Sequence, residues 1–307
     1  MCGIATFGKN QICTNLEELT PDIDVAVIGN PFDQGTAFRP GARLAPRAIR
    51  EASTLLARED GFYDAENNIT YLKDAKIVDC GDADMLHADP AYCIESLAND
   101  VRTIASKGIM PLVLGGDHTT TIPALQGLDQ IGPFGLIHFD AHLDWSEGPG
   151  RLKFGQGNPM RRASELPYVT EMAHLGIRGV GSSRESDFND ARNYGAEIIY
   201  ARQIREKGVA YALSRIPKCD RYYISIDVDG IDPSIIPATG TPSLGGLDYY
   251  EITGILEGVT KMGEIIGVDV VELAPNYDQS GASSLATAQL IYNLLGFILY
   301  NKRNNKG

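Results

Sequence analysis

The chain has 307 residues, 43% hydrophobic and 22% charged, a globular balance that permits one large α/β domain or two smaller ones. A chain of this length buries most of its apolar surface without disulfides or a structural metal, so a metal site in it points to chemistry rather than folding. A net charge of -13 argues against nucleic acid as a partner, because counterion release needs clustered Lys and Arg.

Cys2, Cys13, Cys80, Cys93 and Cys219 are odd in number, widely spaced and without a C-x-x-C pair, which fits a reducing compartment. No basic segment followed by an apolar one opens the chain, so a cytoplasmic location is expected. The most apolar long stretch, Leu285 to Tyr300, is interrupted by Gln289, Asn293 and Gly296 and is short for a membrane span. It reads as a buried or interfacial helix, and no membrane partner is expected.

In chain order, Asp24–Pro31 reads as a strand, Pro46–Ala57 as a helix and Lys76–Cys80 as a second strand. Ala91–Ser106 follows as a helix, its Tyr92, Ile94, Leu97, Val101 and Ile104 keeping an approximately helical spacing. Strands are expected at Met110–Gly115, Gly135–Asp140, Ala173–Ile177 and Glu197–Tyr200, then a helix at Gln203–Arg215 and a strand at Tyr222–Asp229. Asp248 and Glu251 form a capping-box pattern at the start of a helix to Lys261. Strand Ile265–Leu273 and helix Ser283–Asn301 close the series. Most of the eight strands are continuous Val/Ile/Leu-rich runs, as for strands covered on both faces. With no linker or repeat between them, the economical architecture is one doubly wound parallel α/β domain over residues 1–307.

Ligands of such sheets bind outside the carboxyl ends of the strands, and three expected strands end in acid and histidine. They end in Gly115-Gly116-Asp117-His118, in His138-Phe139-Asp140-Ala141-His142-Leu143-Asp144, and in Ser225-Ile226-Asp227-Val228-Asp229-Gly230-Ile231-Asp232-Pro233. Residues two apart in extended chain share a side, so Asp140, His142 and Asp144 can converge, as can Asp227 and Asp229. Four carboxylates buried together need compensating positive charge, which two divalent cations would supply. With His118 the set holds two imidazoles and four carboxylates, suited to Mn²⁺ rather than a thiolate-seeking metal, with Ni²⁺ as the alternative. An isolated Asp-x-Asp is commonly only a loop cap and an isolated histidine a core residue. His87, His138 and His174 are read as core. Asp117 reads either as a cap after a glycine turn or as a support for His118 or a neighbouring loop.

The runs GGDH (115–118), HFDAHLD (138–144) and SIDVDGIDPSIIPATGTPSLGGL (225–247) resemble the metal and pocket motifs of agmatinases in the arginase–agmatinase (ureohydrolase) family. The resemblance runs from GNPFDQGTAFRPGARLAPRAIR (29–50) to VDVVELAP (268–275) and covers nearly the whole chain. It implies a three-layer α/β/α sandwich around a mostly parallel eight-stranded sheet. It implies one ion held by His118, Asp140, Asp144 and Asp227, and another by Asp140, His142, Asp227 and Asp229. Glu272 would bind a small cationic guanidino substrate, and Asp144 would shuttle a proton to the leaving amine. The implied reaction is hydrolysis of a guanidino C–N bond to urea and an amine, in a homo-oligomer with the apolar C-terminal helix as a candidate interface.

Two departures bear on the substrate. Gln156 stands where many agmatinases have histidine, and glutamine cannot exchange a proton near neutral pH. Trp145 follows Asp144 where small residues are common, and a large ring there would reshape a pocket or simply pack in the core. Gln156, Asn158 and Trp145 are therefore taken with Glu272 as candidate substrate-binding residues, marking a substrate other than arginine or ordinary agmatine. The loop Ser146–Lys153 lacks the Ser-Gly-Asn arrangement with which arginases hold the α-amino acid group. Guanidino acids, free or substituted guanidines and non-guanidino amides or amidines stay open. Rival readings are a one-zinc deacetylase-like enzyme, a subunit that kept the fold without activity, and an N-terminal-nucleophile amidotransferase using Cys2. Arg161 and Arg162 open a helix that reads as a solvated face.

Overall fold

The computed structural model describes residues 3–58, 60–86, 88–148 and 153–304. Cys2, His87 and part of the Ser146–Lys153 loop lie outside the described residues. The strands are β1 (Gln11–Ile12), β2 (Val25–Gly29), β3 (Phe62–Asp64), β4 (Ile69–Tyr71), β5 (Ile77–Asp82), β6 (Met110–Leu114), β7 (Phe134–Phe139), β8 (Val169–Ile177), β9 (Glu197–Tyr200), β10 (Arg221–Asp227) and β11 (Glu264–Val271). The helices are α1 (Ala45–Ser53), α2 (Pro90–Ser106), α3 (Thr121–Gln126), α4 (Pro159–Ser164), α5 (Glu185–Tyr194), α6 (Ala201–Lys207), α7 (Val209–Arg215), α8 (Tyr249–Thr260) and α9 (Ala282–Asn304).

All eight expected strands lie in one parallel sheet of order β1-β5-β2-β6-β11-β10-β7-β8-β9. The sheet has nine strands rather than eight, because the two-residue β1 adds to its edge beside β5, too short to leave a pattern in the sequence. A separate hairpin, β3–β4, was likewise not foreseen.

Alternate residues of the inner strands of the sheet enter opposite cores. Val25, Val27, Ile137, Phe139, Ile224 and Ile226 face one, with Ile49 of α1, Ile204 of α6, Ile252 of α8 and Leu294 of α9. Ala26, Ile28, Leu136 and Tyr223 face the other, with Leu97 of α2, Leu125 of α3, Met160 of α4 and Ala191 of α5. Burial on both faces is why the strands read as unbroken apolar runs. Each fully buried Leu or Ile contributes roughly 1.5–3 kcal/mol relative to exposure.

The expected helix Gln203–Arg215 is broken into α6 and α7 at Gly208, whose φ of +81° ends a helix. The capping box forms: the Glu251 N–H donates to Asp248 Oδ1 and the Asp248 N–H to Glu251 Oε2, both at 2.8 Å. α9 is long and apolar enough to cross a membrane by composition, but most of that stretch is buried within the chain, against α1 and α8 among others. Its apolar face is thus largely covered by its own chain.

The sheet order reverses where the chain passes from β6 to β7, which later receive β11 and β10 between them. The carboxyl ends of these four adjacent strands carry every acid and histidine cluster singled out above.

Candidate metal centre

After β6 the chain turns through Gly115 and Gly116 into a 3-10 turn, His118–Thr120. A Cβ on Gly116 would lie 1.8 Å from the Phe32 carbonyl oxygen, so only glycine fits there. Asp117 caps the turn, accepting the Thr119 N–H at 2.9 Å on Oδ1. Its Oδ2 accepts the Gly35 N–H at 2.7 Å and so ties in the neighbouring loop. Both roles offered for Asp117 are filled, although its hydrogen bonds come from these backbone groups and the Thr36 hydroxyl and not from the His118 ring. Burial pushes its carboxyl up to about 6.

His118 Nδ1 lies 3.1 Å from Asp140 Oδ2, 2.9 Å from Asp144 Oδ2 and 3.2 Å from Asp227 Oδ2. His142 Nδ1 lies 3.2 Å from Asp140 Oδ1 and 3.1 Å from Asp229 Oδ2. The four carboxylates are all under a tenth exposed, and His118 is fully buried. His142 keeps 23% of its side chain exposed and marks the open side. All six expected ligands are thus brought together, and Asp140 turns one oxygen to each histidine.

Backbone donors fix the carboxylates. Asp140 Oδ1 accepts the His142 N–H at 2.5 Å, Asp227 Oδ1 the Asp229 N–H at 2.7 Å, and Asp229 Oδ1 the Ala141 N–H at 3.1 Å. Thr241 Oγ1 donates to Asp229 Oδ2 at 3.0 Å. Gly230 lets the β10 loop close on β7, since a Cβ there would lie 2.8 Å from the Asp140 nitrogen. Asp144 (φ +51°) and Glu272 (φ +64°) both occupy left-handed backbone, which is costly for non-glycine residues and concentrates at functional sites.

One atom tests the fit to a cation. His118 Nδ1 is fully buried and makes no hydrogen bond among the described residues, although three carboxylate oxygens lie within 3.2 Å. The ligand atoms converge on a common point instead of pairing, as a metal site requires. Charge says the same. Burial opposes charging His118 and His142, yet the acids push His118 well up and His142 to about 12. Burial with Asp229 and Asp140 pushes Asp227 well above the carboxylate range, so the cluster draws in protons when it has no other cation. The His/Asp cluster fits a binuclear metal site.

Glu272 is buried and its Oε1 accepts the His118 N–H at 2.8 Å. Burial and Asp117 push its carboxyl well up. Gly240 lies beside this carboxylate, its ideal Cβ position 3.5 Å from Oε2 and in ordinary contact with it. Gln156 is half-buried; its N–H donates to Gly35 O at 3.3 Å, and its Oε1 is buried without a partner among the described residues.

Three expectations are corrected. Trp145 is 2% exposed and its ring packs on His174 and Tyr194, with centroids 5.7 and 5.6 Å away, so it lies in the core and forms no pocket wall. Asn158 is buried and its Nδ2 donates to the Ser146 carbonyl at 2.8 Å, holding the loop rather than offering that amide to a substrate. Arg162 is buried and pairs with Glu165 at 3.1 Å, and Arg161 with Asp190 at 2.6 Å, so α4 does not present them as a solvated face.

The sequence reading missed two supports. His138, assigned to the core, lies 2.9 Å from Asp140 Oδ2 through Nε2; its place two residues before Asp140 on one strand was an available signal. Ser225 Oγ lies 3.2 Å from His118 Nε2 and donates at 2.7 Å to Asp269, which also accepts from the Tyr223 hydroxyl at 2.8 Å. Ser225, likewise two residues before Asp227, orients His118 from behind.

Fold and cluster together define an arginase-like α/β protein with a place for a binuclear metal centre. The family model described as "Arginase family" matches residues 23–296, and the chain belongs to that family. Mitochondrial agmatinase of Gallus gallus is 34% identical, over 95% of this chain and 85% of that protein. Guanidinobutyrase of Pseudomonas aeruginosa is 33% identical, over 95% of this chain and 92% of that protein. The solved structure of proclavaminate amidino hydrolase from Streptomyces clavuligerus superposes with a TM-score of 0.86 at 28% identity, covering 97% of each chain.

Proposed function

We propose that this chain is a binuclear metal hydrolase that cleaves a guanidino C–N bond, releasing urea and an amine. The observation that carries the reading is the convergence of two imidazoles and four carboxylates, with the buried His118 Nδ1 left without a hydrogen bond among the described residues. We assign one ion to His118, Asp140, Asp144 and Asp227, and the other to Asp140, His142, Asp227 and Asp229. When bound, two divalent ions supply an acidified water as nucleophile and stabilise negative charge developing on the attacked centre.

The chain's own groups do the rest. The Glu272 carboxylate, fixed by the His118 N–H, receives the substrate guanidinium through charge-assisted hydrogen bonds. Asp144, at the rim of the cluster, carries a proton to the leaving amine. Its backbone is held because its carbonyl accepts the Met160 N–H at 3.1 Å. The partnerless Oε1 of Gln156 accepts an N–H of the substrate. Because glutamine holds no titratable proton, this position orients without acid–base work.

The three named relatives carry names of different compounds, so family membership leaves the substrate tail open. Gln156 supports a substrate other than arginine or ordinary agmatine; Trp145, behind the site, does not bear on it. Mn²⁺ is the ion we propose, on the oxygen- and imidazole-rich ligand set. Among the described residues Cys13, Cys80, Cys93 and Cys219 are free thiols, which supports a cytoplasmic protein, and we propose a homo-oligomer on family resemblance.

The test is urea release by Mn²⁺- and Ni²⁺-loaded protein across agmatine, 4-guanidinobutyrate, 3-guanidinopropionate, guanidinoacetate, arginine, guanidine and substituted guanidines. Turnover of one compound is expected. No turnover with two ions bound per chain would contradict guanidino hydrolysis, and agmatine as the best substrate by a wide margin would contradict the role given to Gln156.

A further inference from the structure

We propose that His138 and His174 form a positioning pair: His174 locks His138 in one tautomer, and His138 in turn holds the Asp140 carboxylate so that it bridges two ions. The inference rests on the binuclear reading above.

The two imidazoles are fully buried and stand opposite each other in register on β7 and β8. Their Nδ1 atoms are 2.9 Å apart, and His138 Nε2 is 2.9 Å from Asp140 Oδ2. An ionised carboxylate only accepts, so His138 Nε2 carries the hydrogen. Across the short approach of the two Nδ1 atoms, we assign the Nδ1–H of His174 as donor to the Nδ1 lone pair of His138. That leaves His174 Nε2 as a bare lone pair, and it is the nitrogen of the pair that lacks a partner. Burial holds the His174 imidazole well below its ordinary range, which keeps it neutral. The Trp145 ring packs edge-on against His174 and closes the pair off from behind. Trp145 therefore acts on the site through its support.

The consequence is geometric. Asp140 Oδ1 is held by the His142 N–H and faces His142 Nδ1; Oδ2 is held by His138 and faces His118 Nδ1. A carboxylate pinned at both oxygens cannot rotate to chelate one ion with both. His138 lies within the cluster too, yet both its nitrogens are already partnered, whereas His118 Nδ1 is not. That contrast separates the support from the ligand.

The experiment is Mn²⁺ titration of metal-stripped full-length protein by calorimetry, with Mn²⁺ counted per chain at saturation and the apo-protein Tm recorded. Wild type, His138→Leu, His138→Gln, His174→Phe and His174→Gln are compared. Wild type should bind two Mn²⁺. His138→Leu should weaken at least one site by about 10- to 100-fold, as loss of such a support does. His174→Phe should weaken it less, and the Gln variants, which keep a donor, should recover affinity. Should the Leu or Phe variant fail to fold, the Gln variants decide, by keeping affinity close to wild type. Unchanged affinity in His138→Leu and His174→Phe, with only the apo Tm lowered, would overturn the proposal. So would loss of one Mn²⁺ at saturation in His138→Gln, which would make His138 a ligand. Wild type binding fewer than two ions would instead overturn the binuclear reading beneath it.

Discussion

Two regions of the molecule bury acid, and they do so in opposite ways. At the β5 end of the sheet Asp79 is 1% exposed and fully answered. Arg50 Nε reaches its Oδ2 at 2.9 Å, Arg50 Nη2 its Oδ1 at 3.0 Å, and the Phe7 N–H its Oδ2 at 2.6 Å. Arg50 also binds Asp82 and the Gly81 carbonyl, both at 2.5 Å. At the ends of β7 and β10, Asp140, Asp144, Asp227 and Asp229 gather, and among the described residues no Arg or Lys is in their ion pairs. Buried carboxylates need positive charge in either place. Where an Arg pairs the carboxylate directly, the site is structural; where imidazoles face a shared point and Arg178 reaches only the Asp229 carbonyl, the arrangement suits cations from outside.

The sharpest way to break this comparison is Asp140→Asn, which removes the carboxylate we assign to both ions. Urea release should fall on the order of 10³-fold or more in steady-state kinetics, since several kcal/mol of transition-state stabilisation depend on the pair of ions. Arg50→Met tests the other region by leaving Asp79 buried and unpaired. Denaturant unfolding should show a loss of about 3–5 kcal/mol, with metal content per chain unchanged. A change in metal content would join two regions the account keeps apart.

Solution pH sharpens the contrast. His118 and His142, both raised by the surrounding acids, hold protons in metal-free protein at neutral pH and must release them to ligate. Mn²⁺ affinity should therefore fall as pH is lowered, by about tenfold per unit for each proton displaced. Calorimetry in buffers of different ionisation enthalpy would measure that release. Gln156→Leu removes the proposed substrate acceptor and should raise KM about tenfold while kcat moves little. An unchanged KM would place Gln156 outside the substrate site.

The smallest effect concerns Asp100 on α2, which burial and the nearby Asp84 push up to about 6. The folded state binds this proton more tightly than the unfolded chain, so ionisation above pH 6 destabilises the fold. Asp100→Asn should gain on the order of 1 kcal/mol at pH 8, discounted for partial exposure, and the gain should vanish below about pH 4. Thermal unfolding at the two pH values would read it.

Much of the site was legible because its candidate ligands obey local rules. Asp140, His142 and Asp144 step by two from one strand end, as do Asp227 and Asp229, and a parallel sheet gathers strand ends. The eight core strands were legible for the same reason, each being an apolar run. What escaped depends on partners distant in sequence. His174 meets His138 only once β8 lies beside β7 in register, and Asp269 meets Ser225 only across the pairing of β10 with β11. Trp145 looked like a pocket residue because Asp144, its neighbour, is one. The left-handed backbone at Asp144 belongs to the turn after which the Trp145 ring enters the core. The break at Gly208 could have been read from the glycine itself.

The most direct test of the central claim is to count divalent ions per chain by elemental mass spectrometry, on full-length wild type, Asp140→Asn and Arg50→Met prepared alike. Two ions are expected in wild type and in Arg50→Met, and one or fewer in Asp140→Asn. Urea-releasing wild type that saturates at one ion, or Asp140→Asn that retains two, would contradict the account.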